Sequence, residues 1–347
     1  MKYTRFCLIF IISVSLLMTG CGNRMTREEI GTRSFGSQTG LVEEISFRSG
    51  KFRLVGDLRL PEGEGPFPAV ILVHGSGGAT RQGAVPYKPL IEIFLRNGFA
   101  VFSWDKPGSG DSRGNFRNEI SERADILVDG VGVLAEHSLI DPAEIGVWGI
   151  SMAGWIMPLA IDASDQISFM IVVGGGAEDS IEQMAYQLGQ RVICAGGSQP
   201  EADLVDSYWS QKSKAEEYSA YLEAMEYLVD VQAIKYHINT EIEKEKSWKP
   251  TPRDWDSFID PMDTIEHTTI PVLVFYGELD RNIDPVQGAT AYKAALESAG
   301  NEDYRIEVLS GVAHTLTPAE TGCLNEAWGI QYAPEYLEVL ESWIQEH

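Results

Sequence analysis

A serine near the middle of the chain has the neighbours that nucleophilic catalysis requires. Residues 144–154 read EIGVWGISMAG, where a short apolar run leads into Gly149-Ile150-Ser151-Met152-Ala153 and closes on Gly154. Small residues on both sides of a serine let the backbone turn sharply from a strand into a helix, and this turn exposes the hydroxyl. We therefore interpret the segment as a nucleophile motif of the G-x-S-x-G type, with Ser151 as the attacking group.

A second serine has a similar pattern around it, Gly110-Asp111-Ser112-Arg113-Gly114. Ser112 lies several residues beyond its strand, in a loop rich in Gly, Arg and Asn, whereas Ser151 directly follows an apolar run and precedes a helix-compatible segment. Because a nucleophile of this type needs a strand before it and a helix after it, the context favours Ser151.

A serine nucleophile needs a base that takes its proton and an acid that orients the base. His314 follows the last apolar strand, where it can reach the carboxyl edge of a parallel sheet. Asp280 ends the strand VLVFYGELD, and a carboxylate there can accept a hydrogen bond from the imidazole. The predicted triad therefore has the order Ser151, Asp280, His314. The alternatives for the acid are Asp284, Glu278, Glu178 and Asp179.

Two backbone amides are expected to hold the negative charge that develops on the substrate oxygen. One is the amide of Met152, next to the nucleophile. The other is expected in HGSGG, residues 74–78, after the first buried strand, because glycines let the backbone turn its amides towards that charge. We favour the amide of Ser76, with Gly77 as the next candidate, and we interpret His74 as a structural residue of the loop.

The composition restricts the partners. The chain has 347 residues, of which 44% are hydrophobic, and a formal net charge of −24. The length and apolar fraction suit one large domain with an insertion, or two domains. The acidic balance argues against nucleic acid and against anionic membrane surfaces as partners. No metal-binding spacing is visible, and no cofactor is predicted.

The amino terminus has the pattern of an export signal. Two basic residues precede an apolar run, Phe6–Met18, which ends at Thr19-Gly20-Cys21. We interpret residues 1–20 as a signal peptide, Cys21 as the lipidated first residue of a bacterial lipoprotein, and residues 21–40 as a polar tether. The chain is then exported and anchored to a membrane. The alternative is an ordinary signal peptide or anchor in which Cys21 has no such role.

Two cysteines remain once Cys7 is removed with the signal and Cys21 is lipidated. Export would permit a disulfide between Cys194 and Cys323. They are 129 positions apart and belong to no motif. Such cysteines are more often unpaired and partly buried, and the sequence leaves open whether these two pair.

The order of elements predicts an α/β fold. Residues 41–63 alternate in polarity and turn at Ser49-Gly50, which is typical of a hairpin, and apolar runs then alternate with helical stretches. Strands buried on both faces and separated by helices favour a mostly parallel sheet with helices on each side. The core is assigned to residues 41–177 and 261–347. Residues 178–260 are rich in aromatic side chains and are interpreted as a helical cap insertion that covers the catalytic face.

These motifs together resemble the α/β-hydrolase superfamily. HGSGG, DKPGSGDS, GISMAG, YGELDRNIDP and GVAH occur in the order of that superfamily, across residues 41–347. The chain is similar to lipoprotein or secreted serine esterases related to the dienelactone-hydrolase and acyl-aminoacyl-peptidase-like families. Residues 105–110 match the D-x-x-G-x-G loop of the superfamily, and this resemblance implies a structural role for Ser112.

Several activities share this set of residues. The first hypothesis is the hydrolysis of small carboxylic esters through an acyl-enzyme on Ser151, with membrane contact only through the lipid anchor. An aminopeptidase or acyl-peptide hydrolase that acts on short peptides, or a thioesterase, would use the same triad. A tethered binding protein on an inactive hydrolase scaffold is the alternative from another class. Chain length of the acyl group, leaving group and oligomeric state stay open.

Overall fold

The computed structural model describes residues 41–83, 85–115, 119–178, 180–213, 259–323, 326 and 331–347. The predicted signal peptide, the tether with Cys21, Asp179 and residues 214–258 of the predicted cap lie outside the described residues. In the described part, no helix combines the length and apolar character that a membrane span needs.

One eight-stranded sheet organises the described residues, with the strand order β1-β2-β4-β3-β5-β6-β7-β8. The first two strands form the expected antiparallel hairpin, and β2 also pairs antiparallel with β4. All further pairings, from β4 through β3 to β8, are parallel. The strands are β1 Val42–Ser49, β2 Phe52–Arg59, β3 Phe67–Val73, β4 Ala100–Trp104, β5 Ile140–Ile150, β6 Ile167–Val173, β7 Val272–Gly277 and β8 Tyr304–Leu309.

The central strands are apolar because helices cover both faces of the sheet. Alternate residues of β3 belong to two separate cores, with Ile71 in one and Leu72 in the other. Helices α2, α3 and α7 contribute to the first core, and helices α1 and α8 to the second. The helices are α1 Tyr87–Arg96, α2 Ile120–Ala135, α3 Ala153–Ala163, α4 Ser180–Cys194, α5 Gln199–Ser213, α6 Met262–Ile265, α7 Pro285–Ser298 and α8 Pro334–Glu346. The α/β-hydrolase fold class predicted from the sequence is confirmed.

The strand order places a crevice at the carboxyl end of β3. The strand β3 lies between β4 and β5, so the connections that leave β3 and β5 run to opposite sides of the sheet. In open α/β sheets, ligands bind at such a reversal of strand order. The HGSGG loop follows β3 and the Ser151 turn follows β5, so both predicted parts of the site reach this edge.

A disulfide joins Cys194, the last residue of α4, to Cys323 in the segment after β8. The sequence left the pairing open and favoured unpaired cysteines, and the structure shows the pair instead. Their Cα atoms are 5.6 Å apart although 129 positions separate them in sequence. The fold brings the end of α4 against this segment, and no local pattern in the sequence reports such a long-range approach.

Candidate active site

The backbone turns sharply at Ser151, between the end of β5 and the start of α3. Ser151 has a φ of +58°, a left-handed conformation that residues other than glycine rarely adopt. Its N–H donates to the carbonyl of Val173 on the neighbouring strand at 2.9 Å, and its own carbonyl accepts from Gly154 at 2.8 Å. A strained strand-to-helix turn of this kind is the nucleophile elbow predicted from the motif.

Close packing explains why the elbow needs small residues. A Cβ atom added to Gly149 would come within 2.5 Å of the Ala153 Cβ, and one added to Gly154 would come within 2.6 Å of the Gly175 Cα. Ala153 stands two residues after the serine, so the motif is G-x-S-x-A followed by glycine, and the second close backbone approach is at Gly154. The motif is therefore a variant of the pattern by which we identified it.

His314 and Asp280 form a buried hydrogen-bonded pair. The His314 Nδ1–H donates to the Asp280 Oδ2 at 2.7 Å. The Asp280 Oδ1 accepts from the backbone N–H groups of Asn282 at 2.7 Å and Ile283 at 2.9 Å. Because the carboxylate acts only as an acceptor, this bond fixes the tautomer that carries the proton on Nδ1 and the lone pair on Nε2. The imidazole is thereby set to act as a base through Nε2.

Gly174 links this pair to the elbow. It follows Val173, whose carbonyl accepts from the Ser151 N–H, and it has a φ of +51°. A Cβ atom at this position would come within 3.0 Å of the His314 Nδ1 and within 3.2 Å of the Asp280 Oδ2. The three predicted triad residues thus converge on one short segment at the carboxyl edge of the sheet. Sequence reasoning missed Gly174, although the glycine run after β6 was a visible signal.

The alternative acids have other tasks. Asp284 caps α7, since its side chain accepts from the N–H groups of Val286 and Gln287. The exposed carboxylate of Glu278 accepts from Ser310 at 2.6 Å. Because Asp280 alone among these three acids contacts His314, it is the candidate acid that the geometry favours. Asp179 lies outside the described residues.

Helix α4 supports the backbone around Asp280. The Tyr186 hydroxyl donates to the Asp280 carbonyl at 2.8 Å, and the Gln187 side chain donates to the Asn282 side-chain oxygen at 3.0 Å. Burial, and next the neighbouring acidic groups, raises the pKa of Tyr186, so its hydroxyl remains a donor. This helix begins the predicted insertion and ends at the disulfide, so the insertion also has contacts that hold the candidate acid in place.

The HGSGG loop lies directly against the elbow. A Cβ atom added to Gly75 would come within 3.1 Å of the Ile150 carbonyl and within 3.2 Å of the Ser151 Cβ. Gly77 has a φ of +73°, which permits the tight turn of the loop. The predicted amide donors Ser76 and Gly77 therefore belong to a loop that lies against Ile150 and Ser151. Met152, the other predicted donor, is at the amino-terminal cap of α3.

Two buried basic side chains hold the carbonyl groups of this loop. The Lys106 ammonium donates to the carbonyls of Gly75 at 2.5 Å and Gly77 at 2.6 Å. The Arg123 guanidinium donates to the His74 carbonyl and contacts the Met152 sulfur at 3.1 Å. Burial, and next the charge of Arg123, lowers the pKa of Lys106 to about 6. Burial lowers the pKa of Arg123 to about 10. Sequence reasoning did not identify either residue.

His74 is a structural residue of the loop, as expected. Its Nε2–H donates to the Trp104 carbonyl at 2.8 Å, and its Nδ1 accepts from the Tyr87 hydroxyl at 2.7 Å. Burial lowers the pKa of His74 to about 3, so the ring is neutral near pH 7. Both ring nitrogens are therefore occupied, and His74 is unsuited to act as a second base.

The hydroxyl of Ser112 also has a structural partner. Ser112 is buried, and its Oγ accepts from the N–H of Val55 on β2 at 2.9 Å. Its loop is further held by Asp105, whose carboxylate accepts from the N–H of Asp111 at 2.8 Å. No group of three or more His, Cys, Asp or Glu side chains that could hold a metal ion occurs in the described part of the chain.

Comparison with known proteins places this site in a family. The family model described as X-Pro dipeptidyl-peptidase (S15 family) matches residues 49–312. This range contains the HGSGG loop, Ser151 and Asp280, and it ends two residues before His314.

A curated relative aligns with part of the chain. It is a thiohydrolase from Aspergillus aculeatus, 33% identical over 118 residues. The alignment covers 32% of this chain and 36% of the thiohydrolase, so it spans about a third of the length of each.

Solved structures share the fold at low sequence identity. An esterase from Pyrococcus furiosus, Pf2001, superimposes with a TM-score of 0.59 at 15% identity and covers 90% of this chain and 96% of its own. Acetyl xylan esterase 1 from Thermoanaerobacterium has a TM-score of 0.55 at 15% identity and covers 92% and 87%. The 2,6-dihydroxy-pseudo-oxynicotine hydrolase has a TM-score of 0.53 at 17% identity and covers 88% and 68%. At these identities the likeness concerns the fold.

Proposed function

The chain belongs to the X-Pro dipeptidyl-peptidase (S15) family, and we propose that it is a serine hydrolase. We propose further that it cleaves carboxylic esters through an acyl-enzyme on Ser151. The observation that carries the proposal is the 2.7 Å hydrogen bond between His314 and Asp280. This pair packs against Gly174, next to the residue that bonds the strained turn of Ser151. Membership of the family establishes a hydrolase of the α/β fold. The choice of ester is our proposal.

In the first half of the reaction, the Ser151 hydroxyl attacks the acyl carbon of the ester. His314 Nε2 takes the hydroxyl proton, while Asp280 stabilises the imidazolium through Nδ1. The substrate carbonyl oxygen becomes negative, and the amides of Met152 and Ser76 donate to it. The tetrahedral intermediate then expels the alcohol, which receives its proton from His314. The acyl group remains on the Ser151 Oγ.

Water completes the cycle. His314 removes a proton from a water molecule as the water oxygen attacks the acyl carbon, and the same two amides hold the second oxyanion. The bond to the Ser151 Oγ then breaks, and His314 returns the proton to the serine. The carboxylic acid leaves, and the enzyme regains its starting state without any cofactor.

The family match favours a peptidase as the second candidate. Peptide and ester hydrolysis use the same triad, and they differ in what holds the remainder of the substrate. A dipeptidyl-peptidase must also bind the free amino group of its substrate, for which a carboxylate is the natural partner. The predicted cap offers acidic candidates for this purpose, which lie outside the described residues: Glu216, Glu217, Glu223 and Glu226. The partial alignment with a thiohydrolase supports a thioester assay as a third arm.

Hydrolysis assays on residues 22–347 distinguish these candidates. The substrates are p-nitrophenyl esters from acetate to palmitate, an X-Pro-p-nitroanilide, and an acyl thioester of matched chain length. Ser151→Ala is the inactive variant, and Ser112→Ala is its matched control because Ser112 has a structural bond. We expect ester turnover in the wild type and in Ser112→Ala, and none in Ser151→Ala.

The relative kcat/KM values decide the class. Esters cleaved far faster than the anilide support the proposal, and the optimum in chain length measures the acyl pocket. Cleavage of the anilide in preference to the esters would replace the esterase proposal with the peptidase. Ester turnover that persists in Ser151→Ala would contradict the assignment of the nucleophile.

We also propose that the chain is exported and anchored through lipidated Cys21. The disulfide between Cys194 and Cys323 supports export, because such bonds persist in oxidising compartments. Metabolic labelling with a palmitate analogue in a bacterial host tests the anchor. Label and membrane association that are lost in Cys21→Ser support it. Unlabelled protein in the membrane fraction would contradict lipidation.

A further inference from the structure

We propose that Lys106 is a positioning residue for catalysis, which fixes and polarises the Gly75–Ser76 peptide so that the Ser76 N–H acts as the second oxyanion donor. The inference rests on the proposed function, because it concerns the oxyanion that forms when Ser151 attacks. It gives a role to a variable position of the D-x-x-G-x-G loop after β4, which is outside the triad.

Peptide geometry gives the direction of the Ser76 amide. In a trans peptide, the carbonyl of one residue and the N–H of the next point in opposite directions. The Gly75–Ser76 peptide is trans, and its carbonyl accepts from the Lys106 ammonium at 2.5 Å. The Ser76 N–H therefore points away from Lys106.

The neighbouring peptides have the same arrangement. The Gly77 carbonyl also accepts from Lys106, at 2.6 Å, and the His74 carbonyl accepts from Arg123. Three carbonyls of the loop thus face buried basic side chains. The loop meets the elbow at Gly75, where an added Cβ would come within 3.2 Å of the Ser151 Cβ. The Gly75–Ser76 peptide therefore lies beside the nucleophile, with its carbonyl already held by Lys106.

This arrangement has a catalytic consequence. A hydrogen bond to a peptide carbonyl polarises the peptide and strengthens the donor at its other end. The effect is larger in a buried site, where water does not screen the charge. Lys106 is 2% exposed. Its contribution is greatest when the oxyanion is fully formed, so it stabilises the transition state more than the bound ester.

The hydrogen bonds do not depend on the charge of Lys106. An ammonium has three protons and a neutral amine has two, so either form can donate to both carbonyls. Positioning of the loop therefore requires only the two donors. The further polarisation by a full charge requires the protonated form, which is the minor form at pH 7 because burial lowers the pKa of Lys106 to about 6. Variants that remove one or both properties separate the two contributions.

Three variants and a control form the experiment. Lys106→Met keeps the apolar stem and removes both donors, Lys106→Gln keeps a neutral NH2 group, and Lys106→Arg keeps donors and charge. Arg59→Met is the control, because Arg59 is a partly buried cation that donates to Asp57 and Ser103, away from the loop.

Active sites are titrated with a fluorophosphonate, so that kcat refers to folded enzyme. Each protein is also tested with a trifluoromethyl ketone and with the methyl ketone of the same acyl chain.

The trifluoromethyl ketone forms a tetrahedral oxyanion adduct with the serine, and the methyl ketone resembles the bound ester. For Lys106→Met we expect kcat to fall about 10²- to 10³-fold, the loss typical of one missing oxyanion donor. The trifluoromethyl ketone should lose affinity by the same factor, whereas KM and methyl ketone affinity should change less than about threefold. Lys106→Gln should lie between Lys106→Met and the wild type. Lys106→Arg should recover most of the activity, and Arg59→Met should keep the wild-type kcat per titrated site.

Two results would overturn the inference. One is a Lys106→Met enzyme with the wild-type kcat per titrated site. The other is a parallel loss of affinity for both ketones, which indicates a general distortion of the pocket. If Lys106→Met does not fold, the same two criteria apply to Lys106→Gln. Failure of the proposed function is distinct, because the wild type itself would then lack ester turnover and Ser151 would not react with the fluorophosphonate.

Discussion

Ser112 and Ser151 each follow a glycine by two residues, but the fold gives their side chains different surroundings. Ser151 lies at the end of a central parallel strand, has a φ of +58°, and is close to the His314–Asp280 pair through Gly174. Ser112 lies in the loop after β4, is buried, and accepts a hydrogen bond from Val55 on β2.

The difference shows what a glycine-flanked serine can and cannot specify. In both segments the glycines permit close approaches: a Cβ added to Gly110 would overlap the Asp105 carboxylate, and one added to Gly149 would overlap Ala153. Local sequence therefore provides a tight turn in each case. The position of the turn relative to the sheet edge decides whether the serine lies beside the segment that carries the His314–Asp280 pair or beside a strand N–H.

The largest effect should come from Ser151→Ala. Without the nucleophile, kcat should fall about 10⁴- to 10⁶-fold, because no group remains to form the acyl-enzyme. Thermal stability should stay the same or rise, since alanine removes a polar group from a strained turn. Single-turnover hydrolysis and calorimetry measure the two quantities. A loss of less than tenfold would mean that another residue is the nucleophile.

Asp280→Asn should reduce kcat about 10⁴-fold while the fold is retained, because the amide can favour the wrong tautomer of His314. Asp284→Asn is its matched control. Asp284 caps α7, and asparagine is an equally good cap, so activity and stability should change little. Steady-state kinetics on both variants make the comparison. A greater loss of activity in Asp284→Asn would exchange the roles of the two acids.

The disulfide should matter more for the region around Asp280 than for the loop of Ser112. Replacement of Cys194 and Cys323 by serine should lower the free energy of unfolding by about 2–4 kcal/mol, the usual contribution of such a bond. The disulfide connects α4, which supports Asp280, to the segment after His314. Urea unfolding with and without dithiothreitol provides the measurement. Dithiothreitol should lower the urea midpoint of the wild type and leave that of the double variant unchanged. An equal response of the two proteins would contradict this account.

The smallest effect should come from Ser112→Ala. Loss of the Oγ leaves the buried Val55 N–H without this acceptor, which costs about 1–3 kcal/mol of stability. The kcat per titrated site should remain that of the wild type. Ser46→Ala is the control, because Ser46 is exposed on β1 and its replacement should change stability by less than about 0.5 kcal/mol. Urea unfolding tests both, and a drop in kcat for Ser112→Ala would remove the contrast between the two serines.

Much of the framework was accessible from the sequence because it depends on short-range patterns. Apolar runs alternating with helical stretches predicted the parallel sheet, and the alternating segment 41–63 predicted the hairpin. The sequence placed Asp280 at the end of one strand and His314 after the following strand. Because the carboxyl ends of parallel strands share one edge of the sheet, the two side chains were expected close together. The structure places these two side chains in contact.

Other features depend on approaches between segments that are far apart in the chain. The pairing of Cys194 with Cys323 requires α4 to end against the segment after β8. Lys106 and Arg123 gave no signal because their partners are backbone carbonyls, which every residue has. Gly174 is important because it packs against Asp280 and His314, which lie in the segments after β7 and β8.

The sequence by itself determined the order of strands and helices, the turn at Ser151 and the identity of the acid and base candidates, because periodicity and small residues act over a few positions. The tertiary structure alone decided which serine lies next to the segment of the His314–Asp280 pair, which cysteines pair, and which basic side chains lie behind the loop of Ser76. Those outcomes depend on distances between segments that only the packed sheet sets, and burial then decides how strongly each charge acts.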